Sequence, residues 1–214
     1  MSNMVKRYLW FLAGILINSF GVAFITKAAL GTSQISSVPY VLSLKYTGFS
    51  FGAWTFVFNM LFILIQVILL KKDFKPVQYL QIAVNVIFSW FIDFSMGLLS
   101  FLNPSGLLTK LLCLLAGCAI LAIGISIEVA PNVLVVPGEG VVKALTKVTG
   151  KRFGTTKVLF DVTLIVLATI LSLAFFGRLN GIGLGTVVSA LLIGRLVNLC
   201  DKRFPLIAKL RAIE

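Results

Sequence analysis

Six apolar runs of about twenty residues each, parted by basic or glycine- and proline-bearing breaks, leave this chain few ways to fold. They lie near 7–29, 51–71, 78–100, 108–130, 155–176 and 182–200. The breaks "KKDFKP" (71–76), "NPSG" (103–106) and "GRLNG" (177–181) carry the punctuation. Runs this long and greasy are solvated by lipid, where every backbone N–H and C=O must be bonded internally. Each run is therefore predicted to be a helix. The expected fold is all-α, an integral membrane six-helix bundle.

Composition agrees. The 214 residues are 59% hydrophobic with a mean hydropathy of +1.05, and only 12% are charged, yet the net charge is +12. A basic nucleic-acid binder needs a polar surface that this chain cannot cover. Basic residues in the loops of a membrane protein account for the charge instead. Lys6 and Arg7 precede the first run as in a signal peptide. That run continues to about Ile25 without a small-residue cleavage site, so a retained first helix is expected.

The basic residues also predict orientation. With both termini in the cytoplasm, fourteen of the 19 fall inside: 6, 7, 71, 72, 75, 143, 147, 151, 152, 157, 202, 203, 209 and 211. Lys27, Lys45, Lys110 and Arg178 fall outside, and Arg195 lies within the last run.

The chain also repeats itself. "TGFSFGAWTFVFN" (47–59) and "TGKRFGTTKVLFD" (149–161) match at an offset of 102. "LAGILINSFG" (12–21) matches "LAGCAILAIG" (115–124) at 103, and "SWFID" (89–93) aligns with "GRLVN" (194–198) at 105. Two copies follow, 1–103 and 104–214, with three runs apiece. An odd number of spans makes the second copy enter from the opposite side, giving an inverted-topology repeat. After the first span of each copy, segments 31–50 and 131–153 break at glycine and resume as apolar helix. Each is expected to be a short helix or re-entrant hairpin.

Polar residues inside the runs are the candidate solute or ion ligands. Asn59 and Asp161 match between copies, about eight residues into their spans, which is near mid-membrane. Asp93 matches Asn198, so each half supplies one acid and one amide. The expectation is one central cavity lined by Asn59, Asp93, Asp161 and Asn198. The third run carries Gln78, Gln81, Asn85, Ser89 and Asp93 on one helix face. That face either lines the cavity or holds the bundle together by hydrogen bonds. Arg195 is a candidate counter-charge to the acids. Lys157, one turn before Asp161, is the local alternative. Asn18 lies among glycines 14 and 21, and Glu128 beyond glycines 117 and 124 is expected to reach water at the cytoplasmic end. In "PGEG" (137–140), Glu139 caps a helix start, handles a cation or proton, or gates the inner mouth.

No histidine is present, and Cys113, Cys118 and Cys200 form no ligand pattern. Neither a metal site, a cofactor nor catalysis is expected.

"ALGTS", "PGEG", "KRFGTTK" and "GIGLGTVVSALLIGR" resemble the YczE/YyaS/YitT-like bacterial membrane proteins over nearly the whole chain. The resemblance implies a multi-pass protein of the bacterial plasma membrane and supplies no catalytic residues. The leading expectation is a small transporter or permease for an unidentified solute, with proton coupling through the acids. Its expected partners are the lipid bilayer and that solute, with no nucleic acid. A substrate-binding membrane subunit of a larger uptake complex and a non-transporting accessory protein are the alternatives. A homodimer or a partner subunit fits the small-residue helix faces.

Overall fold

A computed structural model describes residues 3–211; positions 1–2 and 212–214, the outer ends of the two expected copies, lie outside the described residues. All described secondary structure is helical: α1 (Asn3–Lys27), α2 (Ser37–Lys45), α3 (Phe51–Leu70), α4 (Leu80–Leu98), α5 (Leu107–Val129), α6 (Pro137–Thr149), α7 (Phe153–Phe176), α8 (Leu184–Arg203) and α9 (Pro205–Arg211), with short 3-10 turns between α3 and α4. Six of these are long and apolar enough to cross a membrane, and they are the six runs of the sequence within a few residues. Ser50 caps α3 by accepting from the Ala53 N–H, and left-handed Gly150 and Gly177 terminate α6 and α7.

The distribution of side chains is that of a protein in lipid. Val57, Leu64, Ile68, Trp90, Ile170 and Leu191 face outward, while Asn18, Asn59, Gln66, Gln81, Asn85 and Glu128 are buried. The chain is a multi-pass helical membrane protein.

Helices α1 and α5 run antiparallel along most of their lengths and form the spine. Four glycines let the backbones touch. A Cβ on Gly14 would sit 2.5 Å from Glu128 Cα, and one on Gly21 2.6 Å from Leu121 Cα. One on Gly117 would lie 2.8 Å from the Ile25 nitrogen, and one on Gly124 2.5 Å from the Asn18 nitrogen. Helix α4 packs on α1 and α3, and α8 packs on α5.

The two short helices each pack on both α3 and α7, α6 chiefly on α3. Val38 and Val41 of α2 share a core with Val141 and Val142 of α6, Phe62 of α3 and Leu164 of α7. Ile35, just before α2, touches the start of α6, where its Cδ1 is 3.1 Å from a Cβ placed on Gly138. The beginnings of the two short helices therefore meet inside the bundle.

Helix α9 sets Ile207 and Leu210 into a cluster with Trp10, Ile127 and Ala130. The start of α1 and helix α9 thus share one end of the bundle. At that end the Arg7 guanidinium donates to the Pro131 carbonyl at 2.9 and 2.8 Å, holding the α5–α6 connection.

Candidate functional site

Where the short helices begin, the bundle is hollow. A cavity of about 680 Å³ lies between α1, the loop before α2, and the walls of α3, α6, α7 and α8. Its surface is mainly apolar, from residues such as Val22, Ile35, Phe88 and Ile125. Asn18, Gln34, Asn59, Glu139, Asp161 and Asn198 place polar groups on the wall, and Lys157 adds an ammonium. A mostly apolar chamber with a few convergent polar groups is the usual form of a small-molecule site.

Each polar group has a local reason for its position. Asn18 sits between Gly14 and Gly21 on the spine, and its Nδ2 donates to Glu128 Oε2 at 2.7 Å. Glu128 is 2% exposed. Its expected reach to water is overturned, because α1 covers this end of α5 and the carboxylate turns inward to Asn18. Asn59 donates to Asn85 Oδ1 at 2.8 Å. Asn85 in turn donates to the Phe56 carbonyl at 3.0 Å. Gln34 is buried and its side chain has no hydrogen-bond partner among the described residues.

Asp161 and Lys157 pair at 2.6 Å, one helical turn apart. The local partner is thus the real one, and Asp161 forms no ion pair with Arg195. The pair still lies on the cavity wall, so it is more than a surface ornament.

Glu139 occupies the first turn of α6 and forms no ion pair among the described residues.

Three expected cavity residues are elsewhere. Asn85 lies behind Asn59, buried between α3 and α4 rather than on the wall. Asp93 is held at the far end of the bundle, away from the chain termini. Its Oδ1 accepts from the Gly52 N–H at 2.7 Å and its Oδ2 from the Ser50 hydroxyl. Arg195 is exposed on α8 and forms no ion pair among the described residues. The α4 stripe was legible as one face, but the face looks at α3. Gln81 and Gln66 exchange two bonds of 3.2 Å there, and Gln66 also donates to the Pro137 carbonyl at 3.1 Å. Gln66 was missed. Its spacing of seven residues from Asn59, one helix face repeated, was the available signal. Gln34 was missed as a wall residue within the hydroxyl-rich "TSQISS". No cluster of metal-ligating side chains is present among the described residues.

Residues 5–202 match the family described as "Family of unknown function (DUF6198)". The chain belongs to that family. It is also 28% identical over 201 residues to "Uncharacterized protein YyaS" of Bacillus subtilis (strain 168), covering 90% of each chain. No solved structure matches the chain significantly. Membership agrees with the YyaS-like resemblance carried by "PGEG" and "GIGLGTVVSALLIGR".

Proposed function

We propose that the chain is a small-solute permease of the bacterial plasma membrane, built from two inverted three-span halves, 1–103 and 104–214, with both termini cytoplasmic. The observation that carries the proposal is the cavity. It lies where both short helices begin, and residues of both halves form its wall. A chamber shared by inverted halves is the arrangement by which secondary transporters hold a solute near the midplane.

The contacts of the spine support the inversion. The sequence offset of 103 carries Gly14 to Gly117 and Ile25 to Glu128. Gly14 meets Glu128 and Gly117 meets Ile25, so each contact is the image of the other. Gly21 with Leu121 and Gly124 with Asn18 form a second such pair. The packing of both short helices against both α3 and α7 is compatible with the same symmetry. At 1.5 Å per residue, α2 and α6 are about 14 and 20 Å long, too short for a core of about 30 Å. In this reading they are re-entrant half-helices whose beginnings meet in mid-membrane.

Transport here involves no bond chemistry. The titratable groups on the cavity wall are Glu139, Lys157 and Asp161. Proton coupling must pass through them or through Glu128 behind Asn18.

The test begins with a thermal-shift screen of the purified protein against a metabolite library. Hits are then assayed for counterflow into proteoliposomes. Asn59→Leu puts an apolar group on the cavity wall in place of the buried amide. It should abolish binding and counterflow of a hit while leaving a monodisperse protein. The proposal fails if no compound distinguishes the wild type from Asn59→Leu, or if hits bind but never cross.

A further inference from the structure

The two ends of the cavity are built alike but are in opposite states. At the far end, α3 packs closely along α4, whereas α7 and α8 hardly touch. Gly52 lies against α4: a Cβ there would collide with the Ser89 carbonyl and sit 2.6 Å from Asp93 Cγ. Gly52 is the second residue of α3, where the N–H has no partner within the helix. Asp93 supplies that partner, and also takes the hydroxyl of the capping residue Ser50.

The sequence offsets carry these residues to the other end. Ser50 becomes Arg152 and Gly52 becomes Gly154 at 102; Ser89 becomes Gly194 and Asp93 becomes Asn198 at 105. There, a Cβ on Gly154 or on Gly194 would meet no other element within 4 Å among the described residues. Arg152 makes no capping bond to α7. Asn198 is exposed and has no hydrogen bond among the described residues. The cavity wall at this end consists of Phe153, Gly154 and Lys157 on one side and Gly194, Val197 and Asn198 on the other.

We infer that Asn198 is the latch of a second gate. The cytoplasmic halves of α7 and α8 close when its amide oxygen accepts the Gly154 N–H and Gly154 packs on the Gly194 carbonyl. The two gates alternate, so Asp93 leaves Gly52 when Asn198 engages. The structure is the state open at the terminus-bearing end. The acid-for-amide difference between the copies sets the resting balance. A carboxylate on a free helix N–H makes a charge-assisted bond that also meets the positive helix end, whereas an amide makes an ordinary one. The far gate is therefore the tighter. This inference rests on the permease reading for its purpose but not for its test.

Thr55 lines the cavity one turn inside the far gate and reports which side has access. Thr55→Cys is placed in a background with Cys113, Cys118 and Cys200 replaced. Membrane-impermeant maleimide is then applied to vesicles of each orientation. With native latches, labelling comes mainly from the side bearing the termini. Exchanging the latches, Asp93→Asn with Asn198→Asp, should shift the labelling ratio toward the opposite side by about tenfold or more. Adding Gly194→Leu should reverse that shift. Leucine there meets open space in the present state, so this variant folds, but it blocks closure of α7 on α8. A ratio unmoved by the exchange in monodisperse protein overturns the inference, as does a shift that Gly194→Leu leaves intact. If the ratio shifts as expected but no solute is ever carried, the latch stands and the permease reading falls. If solute is carried and the ratio does not move, the latch falls alone.

Discussion

Gly14→Ala should destabilise the protein by about 3 kcal/mol, as an overpacked core does at its severe end. A Cβ at Gly14 meets the Glu128 backbone, with Glu128 Cα at 2.5 Å and Cβ at 2.8 Å. No rotamer change relieves a clash with backbone, so α1 and α5 must separate. Their contact is the longest in the bundle and includes fully buried Ile15, Ile25, Leu114 and Cys118. Separation also stretches the 2.7 Å bond from Asn18 to Glu128, leaving a buried carboxyl without its donor. Gly97→Ala is the control. It adds the same methyl inside α4 with nothing within 4 Å, and better helix propensity should leave stability equal or slightly higher. Melting temperatures in one detergent compare the two. A Gly14→Ala protein melting with the wild type would show that the spine is looser than its contacts.

The same glycines explain how far the sequence could be read. Runs of about twenty apolar residues announce spans because lipid permits only helices, so six were placed to within a few residues. Gly14 and Gly21 announced a packed face, but a one-dimensional pattern cannot say which helix it meets. The α4 stripe had the same limitation. Periodicity gives a face and leaves its neighbour unnamed, so Asp93 was assigned to the cavity when Gly52 and Ser50 hold it at the far end. Glu128 was placed in water because it is near a span end; coverage of that end by α1 depends on a contact 110 residues away in sequence. Helix α9 was not foreseen. Seven residues after Pro205 carry too little periodicity to stand out, and Ile207 and Leu210 declare their role only once Trp10 and Ile127 are beside them. Of the cavity wall, Asn18, Asn59, Asp161 and Asn198 were legible because amides and acids in greasy spans are rare enough to count, and Glu139 because two glycines flank it in "PGEG" between spans.

Lys157→Met should be as damaging as the glycine change, for an electrostatic reason. Lys157 and Asp161 pair at 2.6 Å with side chains 26% and 19% exposed, so water screens them only partly. Removing the ammonium strands the Asp161 carboxylate on a mostly apolar wall. Removing one partner of a fully buried pair costs about 3–5 kcal/mol, and the partial exposure here brings the expectation to about 2–3 kcal/mol. Asp161→Asn should cost less, because a four-carbon stem lets the freed ammonium reach toward the open mouth between α7 and α8. The double variant Lys157→Met with Asp161→Asn should recover at least about 1 kcal/mol of the Lys157→Met loss, the mark of direct coupling in a double-mutant cycle. Additive losses would mean that the pair is incidental. The double variant also separates structure from transport. It keeps the shape of the wall and removes its only internal ion pair among the described residues. A protein that regains its stability yet no longer accumulates a solute against a proton gradient, while still exchanging it, would assign the pair to coupling. One that regains both would leave Glu139 and Glu128 as the acids through which a proton could pass.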